Sequence, residues 1–346
     1  MAAQIHGVEG WVARRAQALG VGVDGIGPSV RSALARHQRA LGDARRVRSA
    51  MERMGIAWLV VKGPALVACH DSPDLRSYVD LDVFVDPSNV REVTGALLEA
   101  GFTVVDRNWP FLQAQSVHEF RLLGPGGGII DLHWSLGVGP VHKDRSPSFT
   151  TLIERSRMVL VQGLQVPTLG WADTIVHLAV HAAGSGGHRL IWAADLRAVM
   201  RSAPATPELV RVANEWGAAP ALDLMLRRAH RSLGVRYPFN LRGALVRPGP
   251  WTWLVEVSDR LTPMARHQEG GSIGRLVARS CRASSGASLL EVGRRATSWW
   301  FGGRRPSPTA EQLADVSAYG SSLQPAGGAG AEEAFFAWVT TSRGPA

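Results

Sequence analysis

Apolar residues in the first 140 positions recur with two periods, that of strands and that of helices. The run Gly124-Pro125-Gly126-Gly127-Gly128 separates two strand-like runs and predicts a hairpin. Gly101 ends a helical stretch that begins at Ser88, as expected for a glycine at a helix C-terminus. The pattern therefore predicts a mixed sheet with helices on one face. Strands are expected at 56–61, 80–85, 102–105, 117–123 and 129–134, and helices at 30–54, 64–69 and 88–100.

Beyond residue 140 the pattern becomes mostly helical. A small hairpin is expected at 158–167, followed by helices at 171–183, 190–200, 207–216 and 219–233. From residue 306 the chain is rich in Ala, Gly, Ser and Pro, which favours disorder around one short helix near 331–339. These changes predict N-terminal helices (1–55), a sheet-containing core (56–140), a helical domain (150–237), an additional helical segment (238–303) and a mostly disordered tail (304–346).

Two carboxylates lie two residues apart in the strand expected at 80–85. Strand side chains alternate between faces, so Asp80 and Asp82 point the same way while the apolar residues between and after them face the core. Carboxylates on one face repel each other unless a cation lies between them, and oxygen ligands favour Mg²⁺ or Mn²⁺. A third carboxylate, Asp131, would join them if its strand pairs beside the first. The alternative is a solvent-facing edge strand that binds no metal.

Short motifs continue along the chain on both sides of these carboxylates. In order they are Lys62-Gly63, Leu75-Arg76, Asp80-Leu81-Asp82 with Val83-Phe84-Val85, Gly101-Phe102, His118, Asp131-Leu132-His133-Trp134, His177, His181, Arg189-Leu190 and Asp195-Leu196. Together they resemble the bacterial "uncharacterised nucleotidyltransferase" family of the DNA polymerase β-like nucleotidyltransferase superfamily, over roughly residues 50–237. The resemblance implies an α+β fold, with a polymerase β-like catalytic core followed by an α-helical C-terminal domain that closes over a nucleotide cleft.

The same resemblance implies a Mg²⁺- or Mn²⁺-dependent nucleotidyltransferase. Its donor would be a nucleoside triphosphate, most simply ATP giving AMP, and its acceptor a hydroxyl group on a small molecule, a peptide or protein, or an RNA end. In such a site two metal ions stabilise the entering and leaving oxygens. Asp80 and Asp82 would hold both ions, and Asp131 would complete one of them and act as the base.

Two other functions remain open at this stage. The same site could pass a terminal phosphoryl group from the triphosphate to a peptide or small molecule. Alternatively, the chain could be a non-catalytic nucleotide-binding or antitoxin-like interaction module. The second alternative depends on the turn after the first strand, where related enzymes usually have Gly-Ser and this chain has Lys62-Gly63-Pro64.

Lys62 could replace the missing serine hydroxyl, because its ammonium attracts phosphate as a point charge. Arg76 could either clamp phosphate oxygens or pair with Asp80 or Asp74. The expected nucleotide-binding residues are therefore Lys62, Gly63 and Arg76.

The candidate substrate-pocket residues are His118, His133, His181 and Asp195. His118 is expected on the strand beside Asp131, and His133 on the same strand face as Asp131. His177 and His181 are spaced i, i+4 and share one helix face. The residues around them lack the H-E-x-x-H pattern, so a zinc site is not expected. The alternative is that these histidines are structural and hydrogen-bond neighbouring helices.

Composition narrows the class of protein only slightly. The chain has 346 residues, 45% of them hydrophobic, which permits a sizeable core. Its formal charge of +9 is compatible with a polyanionic ligand, although a generally arginine-rich composition explains it more simply. Two cysteines without metal-ligand spacing, together with the lack of a signal-like or membrane-spanning apolar run, lead us to expect a soluble cytoplasmic protein. Trp299-Trp300-Phe301 is expected to be buried rather than a partner-binding patch.

Overall fold

The computed structural model describes residues 2–114, 116–137, 146–202, 204–264, 272–301 and 329–341, with the backbone alone at 298–301 and 329. The side chains of Trp299-Trp300-Phe301 and the tail residues 304–328 lie outside this description, so the expectations made for them stay predictions.

A five-stranded sheet organises the first half of the chain. Strands β1 (Trp58–Val60), β2 (Asp80–Val85), β3 (Thr103–Val104), β4 (Glu119–Leu123) and β5 (Ile129–His133) lie in the order β1-β2-β5-β4-β3. β2 and β5 run parallel, and the other neighbouring strands pair antiparallel. The predicted mixed sheet is confirmed, and the strands begin and end near the expected positions.

Helices cover one face of this sheet. The face is packed by α3 (Ile26–Met54), α5 (Val90–Glu99) and α6 (Trp109–Ala114), whose apolar residues form one core with alternate residues of the strands. Val83 of β2 and Leu132 of β5 belong to this core and are fully buried. Because strand residues alternate, the residues on either side of them point to the opposite face, where the carboxylates lie.

The second half is helical and forms a second core. A hairpin of β6 (Arg157–Val161) and β7 (Leu164–Thr168) precedes it and packs against β1. The second core also includes Leu59, Val61 and Phe84, which join it to the carboxylate face of the sheet. Phe84 is two residues from Asp82, so the helical half covers the sheet directly beside the carboxylates.

The remaining helices are α1 (Ala2–His6), α2 (Glu9–Ala18), α4 (Pro64–Val67), α7 (Phe149–Glu154), α8 (Trp171–Gly184), α9 (Leu190–Val199), α10 (Thr206–Glu215), α11 (Ala219–Leu233), α12 (Phe239–Leu245), α13 (Pro250–Leu261), α14 (Ile273–Arg279) and α15 (Ser285–Phe301).

The last described helix, α16 (Ala329–Thr341), packs on the helix-covered face of the sheet. Its residues Phe335, Phe336 and Val339 are buried in the first core. The ring of Phe335 lies 4.9 Å from that of Trp109, measured between centroids, in an aromatic cluster that includes Trp134 of the chain after β5. The short helix expected near 331–339 is therefore present, and it contributes large apolar side chains to the core of the sheet.

The glycine-rich hairpin between β4 and β5 packs against helix α3. A Cβ at Gly128 would lie 2.3 Å from Oδ2 of Asp43, and one at Gly124 would lie 2.5 Å from the same carboxylate. Asp43 is fully buried and pairs with Arg46 at 3.3 Å. The hairpin needs glycine at these two positions because only a residue without Cβ lets the turn approach the carboxylate this closely.

Candidate active site

Parallel pairing of β2 with β5 brings three carboxylates together. Asp82 lies opposite Asp131 in the register of the two strands, and Asp80 shares the strand face of Asp82. The carboxyl groups of Asp80 and Asp131 hydrogen-bond to each other. The cluster therefore combines residues that are distant along the chain, on the sheet face that the helical half also contacts.

The turn after β1 places an ammonium group against this cluster. Nζ of Lys62 lies 2.6 Å from Oδ1 of Asp82. The next residue, Gly63, has a φ of +51°, and a Cβ there would lie 3.1 Å from the carbonyl oxygen of Asp80. Glycine at this position therefore permits both the left-handed backbone and the close approach of the turn to β2.

His133 bridges two carboxylates on the same sheet face. Its Nε2 lies 3.1 Å from Oδ1 of Asp82, and its Nδ1 lies 2.9 Å from Oε2 of Glu119 on β4. Glu119 is directly opposite His133 in the antiparallel register of β4 and β5. Burial opposes a charged imidazole, but the carboxylates of Glu119 and Asp82 outweigh it and raise the pKa of His133 to about 10. Both ring nitrogens therefore donate to carboxylates at neutral pH.

The carboxylates of the cluster differ in their protonation. Burial, then the charges of Asp80, Glu119 and Asp82, raise the pKa of Asp131 well above its ordinary value. Burial and the charge of Asp82 raise the pKa of Asp80 as well. Burial also disfavours ionisation of Asp82, yet the charges of Lys62 and His133 hold its pKa far below the usual range. Burial and mutual repulsion therefore disfavour ionisation of Asp80 and Asp131, whereas the cationic neighbours of Asp82 favour its ionisation.

These residues fit a divalent metal ion. Ligand atoms of Asp82, Asp131 and His133 all lie within 4.8 Å of one another. Because both nitrogens of His133 carry protons when they donate to Asp82 and Glu119, the carboxylate oxygens are the atoms available to a cation. Oδ1 of Asp131 is buried and has no hydrogen-bond partner among the described residues. A cation would satisfy that oxygen and compensate the mutual repulsion of the carboxylates. Hard oxygen ligands dominate the set, which suits a divalent cation.

Arg76 lies in a buried ion pair with the helical half. Its Nε donates to Oδ1 of Asp195 on α9 at 2.9 Å, and Nε2 of His70 lies 2.9 Å from the same oxygen. The two pairings considered from the sequence are therefore wrong: Asp74 is bound by Arg14 at 3.0 Å, and Arg76 pairs with Asp195 rather than with Asp80. The ion pair joins the loop before β2 to the helical half.

Comparison with known proteins agrees with this geometry. The profile of a family described as uncharacterised nucleotidyltransferase matches residues 2–234. The chain belongs to this family. No curated protein and no solved structure matches it. Membership supports a transferase that uses a nucleoside triphosphate, and the carboxylate cluster lies within the matched residues.

Two histidines of this nucleotidyltransferase approach the cluster from the helical half. His177 and His181 on α8 have ring centroids 6.3 Å apart. Burial, followed by the charge of Lys62, lowers the pKa of His177 to about 3. The charge of Lys62, followed by burial, lowers the pKa of His181 well below its ordinary value. Both imidazoles are therefore neutral, and the influence of Lys62 on each places them on the side of α8 that faces the cluster.

His118, proposed from the sequence as a pocket residue, lies on the other side of the sheet. Its ring is 6.0 Å from that of Trp134 and 5.7 Å from that of Trp338, in the aromatic cluster under α16. His118 is next to Glu119, and neighbouring residues along an extended chain point to opposite faces. The expectation that the neighbouring strand would bring His118 to Asp131 was therefore wrong in its choice of face.

Sequence reasoning missed two residues of this region. Glu119 resembles any polar residue of an alternating strand, and only its position opposite His133 reveals its contact with the cluster. His70 lies outside every motif, and the partner that it shares with Arg76 is 125 residues further along the chain. Period-two alternation could have drawn attention to Glu119, but no local signal indicates His70.

None of the helices in the described residues combines the length and apolar character needed to span a bilayer.

Proposed function

We propose that this protein is a Mg²⁺-dependent nucleotidyltransferase that moves a nucleotidyl group, AMP when ATP is the donor, to a hydroxyl acceptor. The observation that carries the proposal is the convergence of Asp80, Asp82 and Asp131 on one sheet face, with Lys62 against them. A binding module has no need for carboxylates that repel one another in a buried position, whereas catalysis of phosphoryl chemistry uses them to hold cations.

The reaction follows from these positions. The acceptor oxygen attacks the α-phosphorus, the new P–O bond forms, the bond from the α-phosphorus to the bridging oxygen breaks, and pyrophosphate leaves. We assign to Asp131 the role of taking the hydroxyl proton, because it lies opposite Asp82 in the register of β2 and β5 and its Oδ1 has no hydrogen-bond partner among the described residues. Bound Mg²⁺ would be held by Asp80, Asp82 and Asp131 and would neutralise charge on the phosphate oxygens.

The cationic side of the site suits the leaving phosphates. Although burial disfavours its ammonium, the carboxylates of Asp82 and Asp80 raise the pKa of Lys62, so it stays charged. Arg76 keeps its Nη1 buried and without a hydrogen-bond partner among the described residues. Lys62 and Arg76 therefore offer donors to a triphosphate even while each is held by a carboxylate.

The first experiment measures ligand-induced thermal stabilisation. Wild type is heated with each of the four ribonucleoside triphosphates, with Mg²⁺, with Mn²⁺ or with EDTA. A ligand that binds the folded state raises the melting temperature, by a free energy of about 2.7 kcal/mol at a hundred times its dissociation constant. We expect stabilisation by at least one triphosphate only with metal, its loss in Asp80→Ala, and its retention in Glu99→Ala, which removes an exposed acid on α5. If no triphosphate stabilises the wild type, the proposal fails.

The second experiment separates nucleotidyl from phosphoryl transfer. The protein is incubated with candidate acceptors and ATP labelled at either the α- or the γ-phosphate. Nucleotidyl transfer puts the α-label on the acceptor and releases pyrophosphate. Appearance of the γ-label on the acceptor would instead identify phosphoryl transfer and contradict the proposed reaction.

A further inference from the structure

His177 is a buried polar side chain that lacks a hydrogen-bond partner among the described residues. It is only 3% exposed, and neither of its ring nitrogens has a hydrogen-bond partner in the part of the chain that the structure describes. Buried polar groups in native proteins are nearly always hydrogen-bonded, and the exceptions call for an explanation. The neighbouring Trp216 cannot supply the bond, because its indole N–H donates to Asp173 at 2.8 Å.

Around His177 four rings form a row, in the order Trp216, His177, His181 and Trp192. The ring centroid of His177 is 6.3 Å from that of His181, which in turn is 6.3 Å from that of Trp192 on α9. Trp216 flanks His177 at 6.0 Å. The row therefore combines flat apolar surfaces with imidazole nitrogens that can donate or accept a hydrogen bond.

The charges around the row distinguish its ligand from phosphate. Lys62 and Arg76 belong to the sheet half, and each is held by a carboxylate, Lys62 by Asp82 and Arg76 by Asp195 of α9. A third cation, Arg189, lies at the Trp192 end of the row, 5.8 Å from that ring centroid, and its Nε donates to the carbonyl oxygen of Ile5. The two imidazoles are neutral and so provide no charge to compensate a phosphate. Neutral donors and acceptors beside aromatic rings instead match an uncharged, flat ligand that carries hydrogen-bonding groups. A nucleoside has these properties in its base and its sugar hydroxyls.

We propose that His177 and His181 form the subsite for the uncharged nucleoside part of the donor triphosphate, with Trp192 as the adjoining aromatic surface. This inference rests on the proposed function, since it assigns a position to the donor that the reaction requires. The phosphates would then lie toward Lys62 and Arg76, and the imidazole nitrogens of α8 would bind base or sugar groups. The two ends of the donor are thus bound by different halves of the protein.

The test compares ATP with inorganic tripolyphosphate, which has the phosphates and lacks the nucleoside. Dissociation constants of both are measured by calorimetry in Mn²⁺ for wild type, His177→Leu, His181→Leu and the control His230→Leu, which changes an exposed histidine of α11. We expect wild type and control to prefer ATP. Each pocket variant should lose about tenfold in ATP affinity, the loss of roughly one buried hydrogen bond, while its tripolyphosphate affinity stays within about twofold.

The outcomes separate the two proposals. An unchanged preference for ATP in both pocket variants would overturn the subsite, as would an equal loss of tripolyphosphate binding, which would place the pair at the phosphates. Failure of wild type to bind either ligand would refute the proposed function and the subsite with it. His177→Asn and His181→Asn are measured as well, because they keep a donor and an acceptor. They should recover part of the ATP preference even if a leucine variant folds poorly.

Discussion

Replacing Asp195 with alanine removes the negative charge from a fully buried ion pair between the two halves of the protein. Asp195 is 1% exposed, and its Oδ1 is contacted by Nε of Arg76 and Nε2 of His70, each at 2.9 Å. Burial opposes its ionisation, but Arg76 and His70 lower the pKa of Asp195 below its ordinary value. In Asp195→Ala the Arg76 guanidinium remains buried without its ion-pair partner.

The size of the effect follows from burial. Removing one partner of a buried ion pair costs about 3–5 kcal/mol, because the remaining charge stays desolvated. Exposed pairs contribute about 0–1 kcal/mol. Asp71 pairs with Arg201 at 3.1 Å, but its side chain is 65% exposed, so Asp71→Ala is a matched control. Replacing both members of the buried pair, in Arg76→Met with Asp195→Leu, should restore most of the stability without restoring a phosphate-binding guanidinium.

Urea unfolding followed by circular dichroism measures these differences as shifts in midpoint at constant slope. We expect Asp195→Ala to lower the free energy of unfolding by about 3–5 kcal/mol, and Asp71→Ala to lower it by less than about 1 kcal/mol. Equal effects of the two variants would show that the pair is not desolvated and would refute the reasoning. A double variant that is no more stable than Asp195→Ala would contradict the unpaired charge as the cause.

Three further predictions test the site and the packing around it. In EDTA at neutral pH, Asp131→Asn should raise the melting temperature, by about 2–4 °C for each kcal/mol of stability gained. Folding raises the pKa of the Asp131 carboxyl, so an ionised carboxylate at this position destabilises the folded state, and the neutral amide removes that cost. That gain should vanish below about pH 4, where the carboxyl is protonated in both states, and a gain that persists there would contradict the charge as its cause. Gly128→Ala should cost about 1–3 kcal/mol in urea unfolding, because its Cβ would lie 2.3 Å from Oδ2 of Asp43. Gly126→Ala, whose Cβ would lie 3.7 Å from the same side chain, should stay within about 0.5 kcal/mol, and equal costs would exclude the clash. Phe335→Ala should cost up to about 3–5 kcal/mol and speed proteolysis of α16, whereas unchanged protease resistance would contradict the core role of that helix.

The carboxylate site shows which features of the protein can be predicted from local sequence patterns. The spacing of Asp80 and Asp82 predicts a shared strand face, because alternation along a strand depends only on the backbone. The participation of Asp131 could be stated only as a condition, since it required β5 to pair with β2. That pairing skips β3 and β4 in the chain, and neighbours in a sheet depend on which faces can be buried together.

The ion pair of Arg76 illustrates the opposite case. Its partner Asp195 lies 119 residues further along the chain, on a helix of the other half. Asp74 and Asp80 are closer to Arg76 along the chain, and closeness along the chain was the only criterion that the sequence provided for choosing a partner. Packing of the helical half against the sheet determines the partner, because it buries Asp195 in direct contact with the guanidinium.

His118 and Glu119 complete the comparison. His118 immediately precedes β4, and Glu119 is the first residue of that strand. From the sequence alone, His118 was the preferred site residue because the family resemblance includes it. The structure assigns them to opposite faces, with Glu119 against His133 and His118 against Trp134. A shift of one residue exchanges the two faces of a strand, so a residue's face cannot be chosen until the register is known.

By itself the sequence determined the elements, the family resemblance and the shared face of Asp80 and Asp82, because these depend on short-range periodicity and on motifs. Three features depend on the tertiary structure alone: β5 lies beside β2, Arg76 forms an ion pair with Asp195, and His177 and His181 lie near Lys62. The physical reason is that burial of two apolar cores selects which distant segments meet. The charged groups that those segments carry are then forced into contact in a region where water no longer screens them.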